Sequence, residues 1–167
     1  IVEIISNLDN LISITKSLIV HTESLKKGMM QKLLTKGINH KKFKKVIGLF
    51  GKEIMIPEEW SFGPLIDIVK ITMGQSPPSE SYNDEEKGLP FYQGTADFGA
   101  RYPNTTIWCA DPKKIAIKNS ILFSVRAPVG ETNLTNTECC LGRGVSSLSP
   151  EKNNLFYCFC LINQNKN

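Results

Sequence analysis

Histidine is nearly absent from this 167-residue chain: His21 and His40 are its only two. Both lie far in sequence from the five cysteines, which are Cys109, the pair Cys139 and Cys140, and the pair Cys158 and Cys160. No C-x-x-C spacing occurs, so a zinc site is not expected. An odd number of thiols without metal spacing reads instead as reduced, mostly buried cysteines in a cytoplasmic protein. Long apolar runs are missing too, and none approaches the roughly 20 residues of a membrane-spanning helix. The first residues, "IVEIISNLDN", lack the basic region, uninterrupted apolar core and cleavage site of a secretory signal. They also lack an initiator Met, so the chain is expected to begin inside a larger protein.

Catalytic patterns are equally scarce. There is no G-x-x-x-x-G-K-[ST] phosphate loop, no G-x-S-x-G elbow and no H-E-x-x-H pair. Asp84, Glu85 and Glu86 form a carboxylate run, but with no histidine or metal motif beside them they read as a solvated loop face. The glycines of "GRGVSS" (142–147) fit a tight turn into a strand as well as they fit a phosphate. No catalytic residue, cofactor or metal ligand is expected.

What is present is an ordinary folded composition, 41% hydrophobic and 22% charged, with an uneven charge distribution. Residues 1–47 carry nine lysines against Glu3, Asp9 and Glu23, a balance of +6. Residues 48–167 carry eleven basic and thirteen acidic side chains, a balance of −2. The excess is concentrated between Lys26 and Lys45. Such a run points to a polyanionic partner, or to lysines that suit a helix C-terminus.

The first part of the chain has helical periodicity. Ile5, Ile12 and Ile19 recur every seven residues, as do Leu8, Thr15, Thr22 and Met29, and Ile4, Leu11, Leu18 and Leu25. These adjacent tracks make one broad apolar stripe at heptad spacing. Gly37 is placed as the C-terminal stop. A helix over residues 1–36 would be roughly 54 Å long at 1.5 Å per residue, more than a small domain can cover. The stripe, with Ile5, Leu8, Ile12, Ile19, Leu25 and Met29 along it, is expected to meet another long helix.

From Pro57 the pattern changes to short strands broken by turn residues. Ile66–Ile71, Leu89–Gln93, Thr105–Cys109, Lys114–Ile117, Ile121–Val125 and Val145–Leu148 are the expected strands. "LFYCFCLI" (155–162) fits a buried helix or a buried strand. Between the first two strands, "MGQSPPSESYNDEEKGLPFYQG" leaves through a glycine and two prolines that stiffen the exit. Long loops of this kind are usually functional or disordered, and this one is expected to aim Gln75 and Ser76. Arg126 follows a strand in "SVRAPVG", and Arg143 sits between two glycines, where backbone can approach a ligand closely. Gln75, Ser76, Gln93, Thr95 and Asn133 carry donors and acceptors at loop mouths. Arg, Gln and Asn are the side chains that read base edges bidentately, and Ser and Thr bind bases or phosphate. Each also fits a turn or strand-end hydrogen bond.

The order of the motifs carries more information than any one of them. A heptad helix ending "LKKGMMQKLLTKGI" is followed by "IPEEW", "MGQSPPS", "PFYQGTADFG", "ILFSVRAPVGETNLT" and "CCLGRGVSSLSP". Together they resemble the specificity subunit of type I restriction–modification systems, over nearly the whole chain. The resemblance implies an α+β chain: residues 1–37 a long coiled-coil spacer helix, 38–56 a connector, and 57–167 a mixed, β-rich target recognition domain, incomplete at its C-terminal end. It also implies a non-catalytic subunit that reads half of a split double-stranded DNA target. Such a subunit docks DNA methyltransferase (modification) subunits and, through them, restriction subunits. The expected DNA contacts are Gln75, Ser76, Gln93, Thr95, Arg126, Asn133 and Arg143, with Lys41, Lys42, Lys44 and Lys45 on phosphates. A homodimer through the helix would replace a missing spacer. The residues also fit a coiled-coil dimerisation arm carrying a protein-binding β-rich domain.

Overall fold

The heptad tracks fold as one helix, α1 (Val2–Lys36), in a computed structural model that describes residues 2–48, 51–151 and 154–164. Glu3 in its first turn and Lys36 in its last have the charges that the two helix ends favour. The chain leaves α1 at Gly37, with φ +65°, where the N–H donates to the Leu33 carbonyl at 3.1 Å. Glycine adopts this left-handed stop without steric cost. Thr15 and Thr22 fall inside an apolar track, yet each hydroxyl donates back to the carbonyl four residues earlier, at 2.7 Å. Neither hydroxyl is left to interrupt the stripe.

The chain divides into two compact units, residues 1–62 and 63–167. In the first, α1 is followed by an antiparallel hairpin of β1 (Phe43–Ile47) and β2 (Glu53–Pro57), with Phe43 opposite Pro57 and Ile47 opposite Glu53. β2 packs on the end of α1, and Leu34, Ile56 and Pro57 are buried there. The stretch read as a connector therefore contains a hairpin.

The second unit holds two sheets and a helix. Its elements are β3 (Val69–Met73), β4 (Tyr82–Asn83), β5 (Leu89–Tyr92), β6 (Trp108–Cys109), β7 (Ile115–Ala116), β8 (Ser120–Ser124), β9 (Thr132–Thr135), β10 (Cys139–Leu141), β11 (Val145–Pro150) and α2 (Leu155–Gln164). One sheet has the order β4-β6-β5-β10-β7, and the other β3-β11-β8-β9. All pairings are antiparallel except β5 with β10. The expected strands at 66–71 and 105–109 are shorter than anticipated, because Leu65–Asp67 is a 3₁₀ turn and β6 begins only at Trp108. "LFYCFCLI" is helical. Asn154 caps α2, its Oδ1 accepting from the N–H groups of Phe156 at 2.9 Å and Tyr157 at 3.3 Å.

Alternation along the strands builds the core, since successive side chains face opposite ways. Leu148, Ile121 and Leu134 are register partners across β11, β8 and β9, and with Val69 they pack against Cys158, Phe159 and Ile162 of α2. One residue on, Leu122 faces the other way and joins Tyr92, Ala116, Cys139, Leu141 and Val145 in a second cluster. Cys140 alternates with Cys139 and joins Phe91 and Cys109 in a third. Cys109, Cys139, Cys140 and Cys158 are buried free thiols, and Cys160 is half-buried.

Candidate functional site

Three chain segments that leave strands of the second unit meet at one joint. Gly74–Ser76 follows β3, Gln93–Gly94 follows β5, and Gly142–Gly144 links β10 to β11. The N–H of Gln75 donates to the Leu141 carbonyl at 2.9 Å, and the N–H of Gly142 to the Tyr92 carbonyl at 2.9 Å. The N–H of Gly74 donates to the Val145 carbonyl at 3.1 Å, which closes the set. Backbones can approach this closely only because side chains are missing. A Cβ at Gly74 would collide with the carbonyl oxygens of Gly142 and Val145, and one at Gly144 with the carbonyl oxygen of Gln93. A Cβ at Gly142 would lie 2.8 Å from the Gln93 Cα.

The glycines that flank Arg143 are thus used in internal packing. Their role is to bring Gln93 beside Arg143. Sequence reasoning left these two glycines between a tight turn and room for a ligand, and read Gly74 only as part of the stiff exit from β3. Gly74 and Gly142 each stand directly after a strand, and Gly144 directly before one. The Arg143 N–H donates to Ser76 Oγ at 3.3 Å, so Ser76 is occupied by the neighbouring loop.

Arg126 lies next to the same joint. The N–H of Val125 donates to the Gly144 carbonyl at 3.0 Å, and Arg126 follows it, exposed. Its turn contains a cis Ala127–Pro128 bond and is held by Ser124. Ser124 Oγ donates to the Pro128 carbonyl at 2.6 Å and accepts from the Glu131 N–H at 3.0 Å. Gln75, Gln93, Arg126 and Arg143 are all exposed. Thr95 is half-buried at the start of a turn, accepting from the Phe98 N–H at 3.0 Å. The structure therefore gathers Gln75, Ser76, Gln93, Arg126 and Arg143, from sequence positions up to 68 residues apart, counting from Gln75 to Arg143.

Asn133 does not belong to this group. It is 1% exposed in β9, and its Nδ2 donates to the Gly99 carbonyl at 2.8 Å. The expectation of a DNA contact there is corrected: Asn133 ties the 94–107 segment to the sheet from inside the core.

The loop that begins with the proline pair is ordered by its own side chains. Pro77 is buried, and the Tyr82 hydroxyl donates to its carbonyl at 2.8 Å. Asn83 Oδ1 accepts from the Lys87 N–H at 3.0 Å, and Lys87 pairs with Glu85. Asp84, Glu85 and Glu86 are exposed. Burial raises the Tyr82 phenol pKa, as do Cys109 and Cys140, while the Arg143 guanidinium pulls against them.

In the first unit, the four lysines do not share one face. Lys44 is opposite Ile56 and Lys45 opposite Met55, so these neighbours project to opposite sides of the hairpin. Lys45 Nζ pairs with Glu53 at 2.7 Å. Along α1 the stripe is open: Ile5, Leu8, Ile12, Ile19, Leu25 and Met29 are each more than half exposed.

Among the described residues no group of three or more His, Cys, Asp or Glu is placed to hold a metal ion, and no helix is long and apolar enough to cross a membrane. Burial pushes the thiols of Cys139 and Cys140 up to about 12, with Cys109 adding to the shift at Cys140. These sulfurs are protonated near neutral pH and unsuited to nucleophilic chemistry.

Comparison with known proteins agrees with the motif order. The family described as "Type I restriction modification DNA specificity domain" matches residues 57–167. A putative type I restriction enzyme MjaX specificity subunit from Methanocaldococcus jannaschii is 46% identical over 156 residues, 91% of this chain and 35% of the relative. The MjaVIII specificity subunit of the same organism is 43% identical over 77 residues, 45% of this chain and 17% of its own length. Among solved structures, the HsdS subunit from Thermoanaerobacter tengcongensis is 35% identical with a TM-score of 0.72, over 95% of this chain and 38% of that one. A structure described as the basis of complex assembly and conformational transition of the type I R-M system is 34% identical with a TM-score of 0.65, over 97% of this chain and 40% of that one. The chain thus spans little more than a third of the length of the first of these relatives.

Proposed function

Since the chain belongs to the type I restriction–modification DNA specificity family, we propose that its second unit reads half of a split double-stranded DNA target without catalysing a reaction itself. The observation that carries this reading is the joint. It places two glutamines and two arginines, the side chains that pair bidentately with adenine and guanine edges, on loops whose backbones are locked together. Ser76 supports Arg143, and Thr95 lies beside Gln93 in the same loop. Lys41, Lys42 and Lys44 supply phosphate contacts, which hold a duplex without reading it. Lys45, expected to join them, projects from the other side of the hairpin and pairs with Glu53.

The balance of −2 over residues 48–167 fits a reader that relies on partners for most of its attraction to DNA. Those partners are DNA methyltransferase subunits and, through them, restriction subunits. The exposed stripe of α1 is the docking element, pairing with a long helix of a partner or of a second copy as a coiled coil. The assembly works in the cytoplasm, where DNA is reached and thiols stay reduced.

The test is a selection from randomised duplex DNA by the chain co-expressed with its methyltransferase subunits. A short enriched motif that disappears when Gln93, Arg126 and Arg143 are all changed to alanine is the expected result. Enrichment of no sequence, with a protein bound through the β-rich unit instead, would favour a dimerisation arm carrying a protein-binding domain.

A further inference from the structure

Reading bases requires more than the right side chains, because a bidentate pair is sensitive to small displacements. The joint has a feature suited to this requirement. Gln93 and Arg143 come from loops after different strands, yet neither loop can shift without the other. Gly142 sits against the Gln93 Cα with no room for a Cβ, and Gly144 sits against the Gln93 carbonyl. The Arg143 backbone is in turn held by Ser76 Oγ at 3.3 Å. Ser76 follows Gly74–Gln75, which is locked onto Leu141 and Val145 by backbone hydrogen bonds of 2.9 and 3.1 Å.

We infer that Ser76 and Gly142 are positioning residues for base reading: Ser76 sets Arg143, Gly142 sets Gln93, and the two side chains address the duplex as one unit. The inference rests on the proposed DNA-reading role and adds to it residues that act without touching DNA. It reassigns Ser76 from contact to support. The Ser76 hydroxyl oxygen accepts from the Arg143 N–H, which ties Ser76 to the loop that it supports. The wide spread of the joint in sequence also explains why three glycines are needed at one place: each removes the side chain that would separate two backbones.

The experiment uses the full chain in complex with its methyltransferase subunits and the duplex motif enriched by the wild type. Ser76→Ala should lower the preference at the base position read by Arg143 by roughly 3- to 10-fold, part of the range a bidentate pair supplies. Affinity for unrelated duplex DNA should be unchanged. Ser76→Thr, which keeps the hydroxyl, should restore the preference. In the Arg143→Ala background, Ser76→Ala should have no further effect, and Gly142→Ala should be silent in the same way at the Gln93 position once Gln93 is alanine. Gly142→Ala is the harsher change; if it prevents folding, the Ser76 pair of variants decides alone. An unchanged motif in folded Ser76→Ala would overturn the inference, and so would a full Ser76→Ala effect persisting without Arg143. If the wild type enriches no motif, the DNA-reading role fails and takes this inference with it.

Discussion

The Tyr82 hydroxyl donates a 2.8 Å hydrogen bond to the carbonyl of Pro77, across the loop that follows the proline pair. This bond explains how a ten-residue polar excursion can hold Gln75 in place. The prolines restrict the exit, Ser81 N–H closes a turn on the Pro78 carbonyl at 3.1 Å, and Tyr82 returns to pair with Cys109 in β6.

Tyr82→Phe should therefore destabilise the second unit by about 0.5–1.5 kcal/mol, the usual net worth of one hydrogen bond. Its ring also stacks on Phe91 with centroids 4.6 Å apart, and phenylalanine keeps that contact. The loss should appear as a lower melting temperature and faster proteolysis between residues 79 and 88. Equal melting temperatures for the two proteins would show that Pro77 is held by its burial alone.

The open stripe of α1 makes a prediction about assembly. Ile12 and Ile19 are 53% and 52% exposed, and an isolated helix with such a face gains little from propensity. Ile12→Asp with Ile19→Asp should convert the assembly to monomers in sedimentation while leaving the melting of the β-rich unit unchanged. A wild-type chain that sediments as a monomer at high concentration, alone and with methyltransferase, would refute the docking role of this face.

How much of this was legible beforehand depends on the kind of signal each element carries. The seven-residue spacing from Ile4 to Met29 and the stop at Gly37 are local patterns, and α1 ends where they place it. β9 and β10 gave no such pattern. "TNLT" and "CCL" are buried on both faces, so the alternation that marks a strand is absent. The hairpin of β1 and β2 was hidden because its lysines stay exposed while backbone pairing makes the strand. α2 was ambiguous by apolar content, yet Asn154 was a readable cap. The joint could not be read from spacing, because the residues at 74–76, 93–94 and 142–144 meet only through sheet topology. Asn133 shows the converse: a polar side chain between Thr132 and Leu134 looked available and is in the core.

Burial of Cys139 and Cys140 predicts a pH dependence. Both thiols rise from an ordinary 9.0 to about 12 in the folded chain. The folded state thus holds its protons more tightly than the unfolded state does. The stability this contributes is complete below pH 9 and is lost as pH rises from about 9 towards 12. Tyr82, Tyr92 and Tyr157, raised chiefly by burial, add to the fall. Denaturant titrations at pH 8 and pH 10.5 should give a lower midpoint at the higher pH, and Cys139→Ala should reduce the difference. A midpoint that does not move over this range would contradict the protonated, buried state of these thiols.

Reading and holding should separate in their salt dependence. Arg126→Ala should cost about 1–3 kcal/mol at particular base positions and leave the folding stability alone. The second half of that statement follows from the turn itself, which Ser124 holds through the Pro128 carbonyl at 2.6 Å and the Glu131 N–H at 3.0 Å, without the arginine. A lowered melting temperature with an intact motif would make Arg126 a structural residue. Lys41→Ala and Lys42→Ala should weaken binding to all sequences alike, each flattening the slope against log salt by about one unit. Lys44 and Lys45 cannot behave alike, because they project from opposite faces of one hairpin and only one face can lie on a phosphate backbone. Lys45 already has Glu53 at 2.7 Å, and releasing that pair offsets part of what a phosphate would gain. The slope should therefore change by about one unit for Lys44→Ala and by clearly less for Lys45→Ala. Glu53→Gln should leave it unchanged, because the Lys45 it frees projects from the other face. Equal slopes for all five variants would remove the hairpin from the DNA-holding surface.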